Sequence, residues 1–157
     1  MKVKLLLVGK SVEGWLQSGI RLYASRLKHN VPFEITVIPD LKQASALSME
    51  QIKEKEGDLI LARIKSSDDV ILLDERGKCY SSEDWARHLE QKMIYGSKDL
   101  LFVVGGAYGF SEKVYQRADE KLSLSQMTFS HQMVRLFFLE QLYRAFTIIK
   151  GEPYHHK

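Results

Sequence analysis

The sequence has 157 residues, of which 45% are hydrophobic and 27% are charged, and this balance fits one globular domain over residues 1–157 rather than a disordered chain. No apolar run reaches the roughly 18 residues that cross a membrane, and a single cysteine, Cys79, excludes an internal disulfide framework. The formal net charge of +3 permits binding to a polyanion but does not demand it.

Apolar strand-like runs alternate with helical patterns along the whole chain. In chain order we predict a strand at residues 2–8, a helix at 13–27, a strand at 33–38, a helix from 49 to about 64, a strand at 70–74, a helix at about 82–93, a strand at 100–104, a helix at 112–118, a strand at 122–124 and a helix at 131–150. This alternation predicts an α/β fold with a mostly parallel sheet flanked by helices. No small-residue cleavage site follows the first strand, so we expect a cytoplasmic protein.

Short patterns predict how several helices begin and pack. Ser48 and Gln51 have the spacing of a capping box, and Ser111 is placed to cap a later helix. The first helix carries an apolar stripe that includes Trp15 and Leu22. An apolar stripe of this kind is expected to face the core.

The last helix is apolar around nearly its whole circumference, and Gly151 is placed to end it. A helix of this kind must be buried nearly all round, whereas one sheet covers only one of its sides. A second copy of the chain would cover the other side, which predicts a homodimer. The alternative is that other helices of the same chain cover it.

The end of the first strand does not carry a phosphate-binding loop. Residues 9–11 are Gly-Lys-Ser, but Lys4 stands where a P-loop needs its first glycine. The Gly-x-Gly-x-x-Gly pattern of dinucleotide-binding folds is also missing there. The glycines cluster instead in residues 105–109, Gly-Gly-Ala-Tyr-Gly, where we expect either a cofactor loop or a tight strand-to-helix turn.

Two further segments carry candidate binding residues. Residues 73–77, Leu-Asp-Glu-Arg-Gly, would present a carboxylate at the same edge of the sheet or would form an ordinary turn. Residues 122–131 form a mixed polar and apolar loop whose backbone would read an adenine edge. The simpler interpretation of this loop is that Ser130 caps the last helix.

The last helix also carries charged residues. His131 and Arg135 share one face, and charged side chains on so apolar a helix are expected to face a site or the edge of an interface. Glu140 and Arg144 have the spacing of an ordinary surface ion pair. The five histidines show no metal-ligand spacing, so we expect no metal site.

Several weak motifs occur together in one order. They are Leu-Leu-Asp-x-x-Gly after the third strand, Gly-Gly-x-x-Gly after the fourth, Leu-Ser-x-x-Thr-x-x-His-x-x-x-Arg, Glu-Gln-x-Tyr-Arg-Ala and the closing Pro-Tyr-His. In this combination the whole chain resembles the ribosomal large-subunit methyltransferase H family of the SPOUT superfamily.

The resemblance implies a homodimer that uses S-adenosylmethionine to methylate N3 of a pseudouridine in 23S ribosomal RNA on assembled ribosomes. It implies a SPOUT-type fold with a C-terminal trefoil knot. The residues that it implies for cofactor binding are Leu73, Gly105, Leu124, Ser125, Gln126, Met127, Thr128 and Phe129. Those that it implies beside the target base are His131, Arg144, Tyr154 and His155.

The chemistry assigns provisional roles to the second group. An imide N–H must lose its proton before methylation, and His131 or His155 would accept it. Arg144 would favour the anionic ring, and Tyr154 would stack on the base. The tail is short, so we expect it to close over the cofactor site of a partner copy.

Two other classes of protein remain open from the residues alone. An α/β sheet with a glycine loop also occurs in oxidoreductases that bind a nucleotide or flavin cofactor. A non-catalytic ribosome-binding factor would bind ribosomes without needing a methyl donor. Binding of S-adenosylmethionine separates the three classes.

Overall fold

Strands and helices alternate along residues 1–156, the part of the chain that the computed structural model describes. In chain order they are β1 (Val3–Val8), α1 (Gly14–Lys28), β2 (Phe33–Ile38), α2 (Met49–Leu61), β3 (Asp69–Cys79), α3 (Ser82–Tyr95), β4 (Leu100–Val104), α4 (Glu112–Arg117), β5 (Glu120–Ser123) and α5 (Met133–Lys150). A short 3-10 turn, Ala44–Ala46, precedes α2.

The five strands form one parallel sheet in the order β2-β1-β4-β3-β5. The strands β1 and β4 lie inside the sheet and are almost entirely apolar, because parallel strands are covered on both faces. All five residues of β4 are buried. The predicted α/β fold with a mostly parallel sheet is confirmed.

The helices cover both faces of the sheet, and alternate residues of each strand point to opposite faces. Leu5 and Leu7 of β1 pack with α1, α3 and α5, whereas Leu6 and Val8 pack with α2 and α4. The helix α5 lies beside both α1 and α3, and Phe138 on it is fully buried. Helices of the same chain therefore cover much of α5.

Local signals place several helix ends correctly. Ser48 accepts a hydrogen bond from the backbone N–H of Gln51, whose side chain accepts one from the backbone N–H of Ser48, so the predicted capping box is present. Gly151 ends α5 in the left-handed conformation, with φ of 70°. Ser111 precedes α4 as predicted, but its side chain is buried and makes no capping bond.

Two expectations from the apolar pattern are wrong. Trp15 and Leu22 on α1 are 58% and 47% exposed in the single chain, so this part of the stripe does not face the core. The strand β3 continues to Cys79, five residues beyond the predicted end, because its polar second half pairs with β5 after an irregularity between Leu73 and Lys78. No helix of the described residues is both long and apolar enough to cross a membrane.

Candidate active site

A cavity of about 330 Å³ lies beyond the carboxyl ends of β4 and β5 and beside the middle of β3, where the pairing of β3 with β5 becomes irregular. Leu73, Val104 and Leu122 line it from the three strands. In open α/β sheets ligands bind outside the carboxyl ends of the strands, so this cavity is in the expected place. Its volume falls within the roughly 300–1,000 Å³ that is typical of small-molecule sites.

Most of the residues that the resemblance assigns to the cofactor line this cavity. They are Leu73, Gly105, Leu124, Ser125, Met127, Thr128 and Phe129. Gln126, in the same loop, is exposed and is not part of the lining. The segments at Leu73, at Gly105 and in the loop from Leu124 to Phe129 are far apart in the sequence, and they meet around this one cavity.

The glycine-rich segment after β4 forms one wall of the cavity and is at the same time a tight turn. Gly106 and Gly109 form an antiparallel bridge, and Gly109 has a φ of 84°, which disfavours a residue with a side chain. A Cβ atom on Gly105 would lie 3.0 Å from the ring of Phe110, so the backbone at Gly105 packs closely against this ring, which also lines the cavity.

Hydrogen bonds hold the loop from Leu124 to Phe129 against the sheet. The hydroxyl of Thr128 donates to Oε2 of Glu75 at 2.5 Å, which joins this loop to β3. Within the loop, Met127 N donates to the hydroxyl of Ser125 at 2.9 Å. The Thr128–Glu75 contact is the side-chain link between the loop and β3.

Tyr115 on α4 lines the cavity and was not predicted. Its hydroxyl donates to Oδ2 of Asp74 at 2.5 Å, while Arg76 N donates to Oδ1 of the same carboxylate at 2.9 Å. Burial and this hydrogen bond raise the pKa of Tyr115 to about 12. Asp74 was predicted to present a carboxylate at this edge, but nothing in the sequence pairs it with a tyrosine 41 residues later.

His131 lines the same cavity from the turn before α5. Burial, and then the charge of Arg135, lower its pKa, so the ring is neutral near pH 7. Ser130 receives a hydrogen bond from Met133 N at 3.1 Å, so it helps to begin the helix as the simpler interpretation of this loop expects.

Arg135 does not face a site or an interface edge, as we expected of a charged residue on α5. Its side chain is fully buried and binds the backbone at the end of β1. The expectation is wrong because the carbonyl groups that accept its hydrogen bonds come from the other end of the chain.

A second group of predicted residues lies where the tail packs on α1, α3 and α5. Glu140 accepts hydrogen bonds from Arg144 at 2.5 Å and from Tyr154 at 3.1 Å. Tyr154 also shares a 3.2 Å hydroxyl contact with Tyr23 of α1. Burial raises the pKa of Tyr154. The pair of Glu140 and Arg144 is therefore part of a half-buried cluster, and the prediction of an ordinary surface pair is wrong.

The hydrogen bonds of His155 define its tautomer. Arg144 Nη1 lies 3.1 Å from Nδ1 of His155 and can only donate, so Nδ1 accepts. The other ring nitrogen, Nε2, lies 3.1 Å from Oε1 of Glu83 and carries the hydrogen. A hydrogen bond from Arg144 to Glu140 raises the pKa of Arg144, which keeps the guanidinium charged.

The two groups do not share a cavity in the single chain. Arg144, Tyr154 and His155 are absent from the lining of the first cavity. We call Glu140, Arg144, Tyr154 and His155 the tail cluster. A smaller cavity of about 230 Å³ shares Phe129 with the first cavity and reaches Glu140 of this cluster. Of the four residues predicted beside the target base, the structure places His131 alone on the 330 Å³ cavity.

Comparisons with known proteins identify the class of this fold. A family model described as "Predicted SPOUT methyltransferase" matches residues 1–155. The ribosomal RNA large subunit methyltransferase H of Christiangramia forsetii is 56% identical over 157 residues, which cover 100% of both chains. The protein of the same name from Parabacteroides distasonis is 54% identical over the same length. The chain belongs to the ribosomal RNA large subunit methyltransferase H family.

A solved structure supports the fold of this family. A probable methylase family protein from Haemophilus influenzae Rd KW20 matches with a TM-score of 0.54 and 15% identity, over 99% of this chain and 70% of that one. The predicted SPOUT-type α/β architecture is confirmed, while the trefoil knot stays a prediction.

A methyltransferase of the large subunit methyltransferase H family needs a methyl donor. The described lining combines apolar side chains such as Leu124 and Val134 with backbone groups of the glycine-rich turn. The apolar side chains suit the faces of a flat aromatic base, and the backbone groups suit its polar edge. The described residues contain no group of three or more metal-ligating side chains.

Proposed function

We propose that this methyltransferase binds S-adenosylmethionine in the 330 Å³ cavity and methylates N3 of a pseudouridine in 23S ribosomal RNA. The observation that carries the proposal is the convergence of Leu73, Gly105 and the loop Leu124 to Phe129 on one cavity. Full-length relatives named ribosomal RNA large subunit methyltransferase H support the choice of substrate.

The residues around the cavity have a simple task in this reaction. S-adenosylmethionine, when bound, supplies an electrophilic methyl group on a sulfonium. The protein aligns this group with the acceptor and excludes water, and alignment of two reactants contributes several kcal/mol, up to roughly 10. Leu124, Met127 and Phe129 would cover the adenine, and backbone groups of the same loop would read its edge.

His131 is our first choice for the acceptor of the imide proton. It lines the cofactor cavity, and its lowered pKa leaves a ring nitrogen free to accept a proton near pH 7. His155 is the second choice, because its Nδ1 already accepts a hydrogen bond from Arg144. The positive charge of Arg144 would stabilise the anionic base, and Tyr154 would stack on it.

We place the tail cluster beside the cofactor of a partner copy, which makes the protein a homodimer with composite sites. The cluster does not line the cofactor cavity of its own chain. Trp15 on α1 and Phe137 on the neighbouring α5 are large apolar side chains that remain 58% and 41% exposed. A twofold partner seated on this face would bury them.

The substrate is an assembled ribosome in the cytoplasm rather than naked RNA. A formal net charge of +3 supplies little of the nonspecific attraction that a protein needs to bind free RNA. Recognition therefore depends on the shape of a folded ribosomal surface. We expect strong activity on ribosomes and weak activity on extracted RNA, and equal activity on both would contradict this.

Mass spectrometry of ribosomal RNA tests the function. RNA from cells that lack the gene should miss one methylated pseudouridine, which returns when purified protein and S-adenosylmethionine are added to the ribosomes. Calorimetry should detect binding of S-adenosylmethionine and of S-adenosylhomocysteine. Binding of ribosomes without binding of either compound would instead identify a non-catalytic factor.

Removal of residues 153–157 tests the role of the tail. Methylation should be lost while binding of S-adenosylmethionine remains, because none of the described tail residues, 153–156, lines the cofactor cavity. A matched pair of variants refines the test. His155→Gln should reduce turnover, and His156→Gln, at an exposed neighbouring position, should not. Full turnover by the truncated protein would refute the composite site.

A further inference from the structure

Arg135 on α5 is completely buried and is the largest of the fully buried side chains. Burial of a charged side chain costs several kcal/mol unless hydrogen bonds replace the water that it loses. Burial lowers the pKa of Arg135, but a guanidinium keeps its charge at any physiological pH. A cost of this size calls for a role that an apolar residue could not perform.

Four of the five N–H groups of Arg135 have partners in the structure. Nη2 donates to the carbonyl of Val8 at 2.7 Å, and Nη1 donates to the carbonyl of Gly9 at 2.8 Å and to the hydroxyl of Ser11 at 3.1 Å. Nε donates to the carbonyl of His131 at 3.0 Å. One side chain thus joins the end of β1 to the turn that carries His131.

The neighbouring Gln132 makes a second connection between the same two segments. Its Nε2 donates to the carbonyl of Lys10 at 3.2 Å, and its Oε1 accepts from the backbone N–H of Val12 at 3.0 Å. These bonds lie at the surface, whereas those of Arg135 to Val8 and Gly9 are buried and its other two are part-buried. Arg135 is therefore the stronger of the two connections.

His131 occupies a wall between two cavities. The first is the cofactor cavity, and the second, of about 310 Å³, contains the carboxylates of Asp40 and Glu56. Oε1 of Glu56 is buried with no hydrogen-bond partner among the described residues, and burial together with Asp40 raises the pKa of Glu56. A small rotation of the turn would move His131 from one cavity towards the other.

We infer that Arg135 is a positioning residue, which holds His131 on the wall of the cofactor cavity by binding its carbonyl and the end of β1 together. This inference rests on the proposed function of the cavity. Arg135 touches neither cofactor nor substrate in it and acts through the backbone of His131.

The charge of Arg135 gives the inference a readout that a purely structural role lacks. Burial and then this charge lower the pKa of His131, and Asp40 opposes them. The other ionisable groups that line the two cavities around His131 are Lys53, Glu56, Asp74, Glu75, Arg76, Tyr108 and Tyr115. Substitution of Arg135 leaves all of these groups in the chain, so a change in the titration of His131 reports on Arg135.

The experiment compares Arg135→Lys and Arg135→Met in the full-length protein, with Lys150→Met as the control. The control removes a positive charge from the last turn of the same helix, where the residue is exposed. Proton NMR of the histidine rings follows each titration, and the spectrum of His131→Gln identifies the signal of His131.

Each variant has a distinct expected result. In Arg135→Met the pKa of His131 should rise towards its ordinary value, whereas Arg135→Lys should keep the pKa low but shift the ring signal. The three N–H donors of a lysine sit on one nitrogen and cannot reach the separate positions from which Nε, Nη1 and Nη2 of Arg135 bind three carbonyls. Turnover of Arg135→Lys at saturating cofactor should therefore fall about 100-fold, with cofactor affinity within about threefold. Lys150→Met should match the unmodified protein.

Two outcomes would overturn the inference. One is an unchanged His131 signal and titration in both Arg135 variants. The other is full turnover by Arg135→Lys. If Arg135→Met does not fold, Arg135→Lys still decides, because it keeps the charge. Full turnover by His131→Gln would refute the role of His131 in proton transfer, while the NMR data would still show whether Arg135 positions it.

Discussion

Replacement of Thr128 by valine tests whether the loop from Leu124 to Phe129 must be held in place before it binds the cofactor. The change removes the hydroxyl that donates to Glu75 at 2.5 Å and keeps the shape of the side chain. Both residues are exposed, so the bond contributes about 1 kcal/mol, less than the roughly 1.5–3 kcal/mol typical of a charged acceptor. This loss should raise the Kd for S-adenosylmethionine about fivefold, as measured by calorimetry.

Substitution of the acceptor, Glu75, removes the same hydrogen bond. Glu75→Ala should weaken binding as much as Thr128→Val, and the double variant should be no weaker than either single one, because they share one interaction. Glu75→Gln retains an acceptor and should preserve most of the affinity. Thr36→Val, the same chemical change on β2, should leave the Kd unchanged. An unchanged Kd in Thr128→Val would refute the reasoning.

Three further predictions concern stability, each measured by urea unfolding. Phe138 is fully buried with its ring centroid 4.7 Å from that of Phe102, so Phe138→Ala should lower the free energy of unfolding by about 3–5 kcal/mol. The raised pKa of Tyr115 stabilises the fold fully below pH 10 and progressively less as the pH rises towards 12, so Tyr115→Phe should lose this pH dependence. Burial opposes ionisation of Glu120, but hydrogen bonds from Lys92 and His88 lower its pKa overall, so Glu120→Gln should lose stability above about pH 4.5 and less below it.

Local signals in the sequence account for most of the helices and strands. The strands β2 and β4 have the predicted bounds, since Pro39 and Asp40 stop β2 and β4 is a continuous apolar run. The capping box at Ser48 depends on residues three positions apart and was found for the same reason. The second half of β3 was missed, because its polar residues become a strand only through pairing with β5.

The parts of the site that were missed depend on contacts between distant segments. Apolar and glycine patterns indicated each wall of the cofactor cavity, but not that Tyr115 would bind Asp74. Arg135 was placed on the correct helix and given the wrong surroundings, since its acceptors are about 126 residues away. Trp15 was counted in the apolar stripe of α1, but an apolar pattern alone does not show which of its members remains exposed.

The connection from Arg135 to β1 also has a consequence for how the protein is made. The strand β1 pairs with β4, about a hundred residues later, and its end meets the guanidinium of Arg135, 127 residues after Val8. The contacts of β1 therefore stay incomplete until the chain has been made through α5. We expect folding to finish only after that point, and contacts so distant in sequence make the final step slow.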